Sequence, residues 1–170
     1  MKAKEEFEEG ILGLFPIPIM IREAKGERFK NIQKELLGVV ENTEFSQQKG
    51  WTDDTHMLSK DPFNSNIIVD NGCNYFLDFL EEILMEYIQT ITGNSEFGWD
   101  LQESWITKTL KGKYAHEHHH GYSDISGVYY IKTNSEDGNL VFDNIHSQMA
   151  GNYIFANLPG KQPMPLKEGL

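Results

Sequence analysis

A cluster of histidines constrains this chain more than any other feature. Four of the six histidines fall within five residues, in the segment 114–121 with the sequence YAHEHHHG. A run rich in β-branched and aromatic residues, 125–131 with the sequence ISGVYYI, follows shortly afterwards and predicts a strand. The cluster therefore predicts a metal site on a β-scaffold.

The spacing of the histidines determines which of them can act together. Successive side chains of an extended segment point to opposite faces. His116, His118 and His120 would therefore share one face, and Glu117 and His119 the other. A His-x-His pair can present two neutral imidazoles to one ion of iron, zinc, copper or nickel. The alternative is a solvated, histidine-rich loop without a ligand.

The sequence around the cluster predicts further strands. Residues 104–110, with the sequence SWITKTL, mix polar and apolar side chains and are interpreted as a strand, and a glycine turn at 111–113 leads to the histidines. After the strand predicted at 125–132, a polar turn at 133–137 precedes another strand within 138–142. The histidines are thus expected to lie between strands.

This order of elements resembles the core of the iron(II)- and 2-oxoglutarate-dependent oxygenases. It is similar in particular to a branch found in marine cyanophages and bacteria, in which His-x-His precedes Ser-Gly-Val-Tyr-Tyr. The resemblance rests on His118-x-His120, on SGVYY at 126–130 and on Gly138-x-Leu140-x-Phe142. It covers residues 99–170, with a weaker echo at 14–19.

The resemblance implies a metal site and a cosubstrate. In the family, two histidines and one carboxylate hold iron(II), and 2-oxoglutarate binds beside it. His118 corresponds to the first histidine, whereas His120 stands where most of the superfamily has an aspartate. This change removes one negative charge from the metal ligands and would alter iron affinity. Asp124 is a second candidate for the carboxylate.

Tyr130 corresponds to a tyrosine that hydrogen-bonds 2-oxoglutarate in related enzymes, and its alternative role is that of a core aromatic. Family members also carry a distal histidine and an arginine for the cosubstrate, which have no counterpart up to Leu170. The resemblance therefore predicts that C-terminal strands are missing and that the chain is truncated. His146 follows Phe142 too closely to match the distal ligand, and we interpret it as part of a turn.

Two helices are predicted in the first half of the chain. Apolar residues recur at near-helical spacing within 26–44 and again from Cys73 or Asn74 to about Thr92, where Gly93 supplies a stop. The apolar stripe of the second helix is expected to pack on a sheet, and a homodimer face is the alternative. Residues 11–22 contain two prolines and predict an edge strand or an extended arm across a sheet.

Residues 46–66 are polar and predict a long loop. Long loops often carry function, so Trp51, Thr52 and His56 are candidates for the border of a substrate cleft. A lone histidine is more often a surface residue, which is the interpretation favoured for His56.

Together these features predict one domain, 1–170, of class α+β. Its core is expected to be a double-stranded β-helix, a cupin-like jelly roll, supported by the two N-terminal helices. The expected function is hydroxylation of an unidentified substrate with release of succinate and CO2. The alternative is a non-catalytic or degenerate cupin-like jelly roll that binds a metal or another ligand.

Charge and composition narrow the range of partners. The net charge of -11 disfavours nucleic acid and anionic membrane surfaces. No apolar run reaches the length of a membrane span, and the single cysteine, Cys73, suits a reducing cytoplasm. The expected partner is a small-molecule or peptide substrate.

Overall fold

The computed structural model describes residues 17–62, 64–134, 136, 138–143, 161–164 and 167–169. Its elements, in chain order, are α1 (Gly26–Glu41), β1 (Phe45–Ser46), β2 (Met57–Ser59), α2 (Ile67–Asp70), α3 (Asn74–Thr92), β3 (Thr107–Lys108), β4 (Leu140–Asp143) and β5 (Lys161–Met164). Within these ranges, no helix is both long enough and apolar enough to cross a membrane.

Helix α1 confirms the first predicted helix, although it ends three residues before the predicted boundary. Ile32 and Leu36, four residues apart, are buried on one face. At its C-terminal end the Asn42 side chain donates to the carbonyl of Gly38 and the Thr43 hydroxyl donates to that of Val39. These bonds satisfy carbonyls that the last turn leaves without helical partners, which ends the helix.

Helix α3 confirms the second predicted helix with its stop. Gly93 follows it at φ 70°, a left-handed conformation that glycine adopts without strain. At the other end, the Glu35 carboxylate of α1 accepts hydrogen bonds from the backbone N–H groups of Tyr75 (3.2 Å) and Phe76 (3.0 Å). A carboxylate at a helix N-terminus satisfies free amides and complements the helix dipole, so this contact ties α1 to α3.

The core forms between the two long helices. Its buried members are Ala24, Ile32, Leu36, Cys73, Phe76 and Phe79. Tyr129 packs on this cluster, with its ring centroid 4.8 Å from that of Phe76. The expectation that the apolar stripe of α3 packs on a sheet was wrong for Phe76, Leu80 and Ile83, which pack in the cluster with residues of α1 and with Tyr129.

The first sheet is antiparallel, in the order β1-β2-β3. Phe45 pairs with Ser59, and Met57 pairs with Lys108. The predicted long loop at 46–66 is therefore wrong, since it contains β2. The strand predicted at 104–110 is reduced to β3, with a separate parallel bridge between Asn66 and Ser104.

The second sheet pairs β4 with β5, from Leu140 opposite Met164 to Asp143 opposite Lys161. β4 confirms the strand predicted within 138–142. In the described ranges both sheets are small and unclosed. Helices beside small antiparallel sheets agree with the α+β class, while the double-stranded β-helix remains a prediction. The residues between β4 and β5, including His146, lie outside the described ranges.

The strand predicted at 125–132 does not form. Two of its apolar side chains, Tyr129 and Ile131, pack against the helical core instead of in a sheet. The carbonyl of Tyr130 accepts a hydrogen bond from the Gly169 N–H (2.8 Å), and the Gly169 carbonyl accepts one from Ala24 (2.9 Å). A β-carbon at Gly169 would lie 2.8 Å from the Phe29 ring, and the backbone there has φ 82°. Glycine therefore fits between Tyr130 and Ala24 where a larger residue would clash.

The described part of the N-terminal arm lies on a helix. The Tyr87 hydroxyl of α3 donates to the Pro18 carbonyl (3.0 Å), and Arg22 forms an ion pair with Glu86. Residues 17–25 form no strand, so the expected path across a sheet was wrong for this part of the arm. Residues 11–16 lie outside the described ranges.

Replacing Ile32 with alanine should destabilise the protein by about 2–5 kcal/mol, because a fully buried side chain would leave a cavity in the core. Urea unfolding followed by circular dichroism would measure the change. The matched control is Leu37→Ala on the same helix, where the side chain is 38% exposed and a much smaller change is expected. Equal losses from the two variants would contradict the assigned buried face.

Cys73 is fully buried, and burial raises the pKa of its thiol to about 11, with the nearby Glu35 adding to the effect. The thiolate is the reactive form, so iodoacetamide should modify the folded protein slowly and the unfolded protein quickly at about pH 8. Because the folded pKa lies above the unfolded one of about 8.5, the associated stability is present below that pH and is lost as pH rises toward 11. Mass spectrometry after timed alkylation would measure the rates for the folded and the unfolded protein. Equal rates would count against a buried thiol.

Candidate metal centre

Pairing with a distant segment holds the start of the histidine cluster. Thr55 and Tyr114 form a parallel bridge. The Tyr114 N–H donates to the Asp54 carbonyl (3.0 Å), and the His56 N–H donates to the Tyr114 carbonyl (3.0 Å). Residues 54–56 therefore hold both the N–H and the carbonyl of Tyr114, two positions before His116, although residues 114–120 are exposed.

His118 is oriented by the backbone of its own segment. Its Nδ1 lies 2.7 Å from the His116 carbonyl oxygen. A carbonyl oxygen can only accept, so the Nδ1 of His118 carries the proton and donates in this bond. This tautomer leaves the Nε2 lone pair available, as in histidines that bind a metal and donate their other ring nitrogen to a carbonyl.

His118 and His120 lie together, as their spacing predicts. Their ring centroids are 5.0 Å apart and their planes are nearly perpendicular, at 80°. The His120 ring also lies 5.6 Å from that of Trp105. Partial loss of solvation lowers the pKa of His120, and the charge of His118 lowers it further, whereas the carboxylate of Glu103 raises it. A lowered pKa favours the neutral imidazole that a metal ion needs.

His116 is placed differently from the other two histidines of its predicted face. Its ring lies edge-on to Tyr114, with centroids 5.0 Å apart, and its carbonyl is the acceptor for His118. His119 lies over Gly121, where a β-carbon would be 3.3 Å from its Nδ1. The structure thus separates a pair, His118 and His120, from their two histidine neighbours.

His56 is buried, with 6% of its surface exposed, so its interpretation as a surface residue was wrong. Its ring lies 4.8 Å from that of Trp51, and its Nδ1 lies 3.2 Å from the Tyr114 carbonyl. Burial lowers the pKa of His56 most, the hydrogen bond to Tyr114 raises it, and the charges of His118 and His116 lower it. His56 therefore belongs to the surroundings of the histidine cluster, which its position in a polar segment did not reveal.

Trp105 is the neighbour of His120 that the sequence did not reveal. It lies in a predicted strand 15 positions before His120, and no local pattern relates the two. Only the tertiary arrangement identifies this contact.

Among the described residues, no third candidate ligand lies beside His118 and His120. Within the described ranges, no three His, Cys, Asp or Glu side chains could together hold one ion. Asp124 is described and exposed, and it does not complete such a group. In the part of the chain that the structure describes, the candidate site therefore consists of the two imidazoles of His118 and His120.

The two adjacent tyrosines have different surroundings. Tyr129 packs on Phe76 and Phe79, and burial raises the pKa of its hydroxyl to about 12. Tyr130 is half-buried, and burial raises the pKa of its hydroxyl as well. Tyr129 thus packs in the aromatic core, and both roles considered for Tyr130 stay predictions.

A cavity of about 640 Å³ lies away from the histidines, where the start of α1 meets residues 133–134 and 167–168. On its wall, Glu23 forms ion pairs with Lys25 and Lys167. The Glu168 carboxylate accepts a hydrogen bond from the Thr133 N–H. This cavity contains none of the candidate site residues.

Residues 103–165 match the family model described as "Putative 2OG-Fe(II) oxygenase". Comparisons with curated proteins and with solved structures found no match. The matched range contains His118, His120 and Tyr130, and it excludes His56 and Trp51. The family model agrees with the resemblance carried by the His-x-His pair and the tyrosines after it, so this segment of the chain is similar to the 2OG-Fe(II) oxygenases.

Proposed function

We propose that the chain is an iron(II)- and 2-oxoglutarate-dependent dioxygenase in which His118 and His120 hold the metal. The observation that carries this proposal is the proximity of the two imidazoles, with rings 5.0 Å apart, inside the segment that matches the oxygenase family. The overall reaction would convert the substrate, dioxygen and 2-oxoglutarate into a hydroxylated product, succinate and CO2.

The chemistry of the donors fits iron(II), which accepts imidazole nitrogen readily. Bound iron would supply the activation of dioxygen. The protein's own contribution is to place the ligands: the His116 carbonyl fixes the tautomer of His118, and the Trp105 ring limits the movement of His120. We further propose that the Tyr130 hydroxyl donates to a carboxylate of 2-oxoglutarate.

The histidine segment is open to solvent, which supports a substrate that arrives from solution. Tyr122 is fully exposed and Val128 is 61% exposed on the stretch that follows the histidines. We propose a small molecule or a peptide as substrate, since a net charge of -11 would repel nucleic acid and anionic membranes. The free thiol of Cys73 is compatible with a cytoplasmic location.

The alternative function is that of a cupin-like jelly roll that binds a metal or another ligand without catalysis. It is favoured by one observation, the lack of a third ligand beside the histidine pair within the described ranges. In either case the two small sheets would form parts of a double-stranded β-helix. Succinate formation from 2-oxoglutarate in the presence of iron(II) distinguishes the enzyme from this alternative.

Replacing His118 with alanine should weaken iron(II) binding by more than the roughly 10–100-fold that loss of an outer-shell partner costs, because a direct ligand is removed. Anaerobic calorimetry of the metal-free protein with iron(II), with and without 2-oxoglutarate, would measure the affinity. The matched control is His119→Ala, which also removes an imidazole from this segment. The His119 ring lies over Gly121 and is not part of the proposed pair.

For this pair of variants, the proposal requires that 2-oxoglutarate strengthen iron binding in the wild type and in His119→Ala. Equal affinities of the wild type and His118→Ala would show that iron binds elsewhere. Iron binding without any effect of 2-oxoglutarate would favour the non-catalytic alternative.

Replacing Tyr130 with phenylalanine should weaken 2-oxoglutarate binding to the iron-loaded protein by about tenfold or more, since a hydrogen bond to a charged group contributes about 1.5–3 kcal/mol. Iron affinity in the absence of 2-oxoglutarate should be unchanged. Tyr122→Phe, which removes a fully exposed hydroxyl, is the control. An unchanged 2-oxoglutarate affinity in Tyr130→Phe would remove this tyrosine from the cosubstrate site.

A further inference from the structure

His56 makes two hydrogen bonds to one carbonyl group. Its backbone N–H lies 3.0 Å from the Tyr114 oxygen, and its ring Nδ1 lies 3.2 Å from the same atom. A carbonyl oxygen has two lone pairs, so both can be used by this one residue. The backbone bond alone would satisfy the carbonyl, and the ring adds a second constraint on the direction of the peptide group.

The ring of His56 is itself held in place. It is buried, and the indole of Trp51 lies against it with ring centroids 4.8 Å apart. Because the Tyr114 carbonyl can only accept, the proton of the neutral ring resides on Nδ1. The buried ring of His56, held against Trp51, therefore acts as a hydrogen-bond donor in a fixed position.

The constraint continues along the chain to the candidate metal ligand. The peptide group whose oxygen His56 binds leads directly to Ala115, and the Tyr114 ring packs edge-on against His116. The His116 carbonyl in turn accepts the Nδ1–H of His118 at 2.7 Å. Two carbonyl groups, each bound by a histidine Nδ1, thus lie in succession before the His118–His120 pair.

We propose that His56 is a positioning residue, which fixes the backbone at Tyr114 so that His116 and His118 adopt the arrangement that binds metal. The proposal rests on the metal-binding role of His118 and His120 and extends the site beyond the segment that matches the oxygenase family. It assigns a role to the loop before β2, which lies outside that segment.

The test uses three variants of the full chain. His56→Ala removes the ring, while His56→Asn keeps an N–H donor at the place of Nδ1 and His56→Gln places its amide near the former Nε2. Anaerobic titration with cobalt(II) would give the affinity and the visible absorption bands of the bound ion. Hydrogen exchange of the metal-free variants would report the protection of the Tyr114 amide and of the amides that follow it.

We expect His56→Ala and His56→Gln to bind cobalt(II) about tenfold or more weakly, with altered absorption bands, as for other residues that orient a metal ligand. His56→Asn should restore the wild-type bands and most of the affinity. Protection from hydrogen exchange should fall in the first two variants and recover in His56→Asn. If His56→Ala does not fold, the comparison of the Asn and Gln variants carries the test.

Two results would overturn the proposal while leaving the metal site intact. One is wild-type affinity and absorption bands in His56→Gln, and the other is an equal loss in the Asn and Gln variants, which would show that the Nδ1 donor is not what matters. If the wild type itself binds no cobalt(II) or iron(II), the proposed function fails. Unchanged hydrogen exchange in every variant would then overturn the positioning role as well, whereas exchange that recovers only in His56→Asn would support it.

Discussion

The burial of the phenylalanine face of α3 against α1 is the contact on which the rest of the structure depends. Phe76 and Phe79 pack with Ile32 and Leu36, and the Glu35 carboxylate joins the two helices at the start of α3. Apolar burial supplies the main stabilisation, while the carboxylate fixes how one helix begins relative to the other. Tyr129 rests on the same face, so the helical core also sets the position of Tyr130 beside it.

The long helices could be predicted because their signals are local. Apolar residues at helical spacing and a terminal glycine at position 93 are sufficient to locate α3. The strands could not be predicted in the same way, because a strand depends on a partner elsewhere in the chain. Residues 125–132 have the composition of a strand, yet the described structure uses Tyr129 and Ile131 to cover the helices. The short strand β2 could not be predicted from its polar stretch, because it pairs with β1 and β3, which are not adjacent to it in the sequence.

In the candidate site, too, contacts within one segment could be predicted and contacts between distant segments could not. The pairing of His118 with His120 follows from spacing along one segment, and the structure places the two rings together. The contacts of His120 with Trp105 and of Tyr114 with His56 join separate parts of the chain, and no periodicity in the sequence relates them. His56 also illustrates why a lone histidine is hard to interpret, since its contacts with Trp51 and with the Tyr114 carbonyl are made in the folded structure.

The bridge at Thr55 and Tyr114 has a consequence for the order of folding. The His56 ring and the carbonyl that it binds are separated by 58 positions, and α2 and α3 lie between them. Closing so long a loop carries an entropic cost that is recovered only when its ends meet, whereas a helix forms from neighbouring residues. The histidine segment should therefore acquire its geometry late, after α3 has formed and shortened the path between the two ends. Any ion that binds only this geometry would add its binding free energy to the closed loop, coupling this late step of folding to the supply of metal.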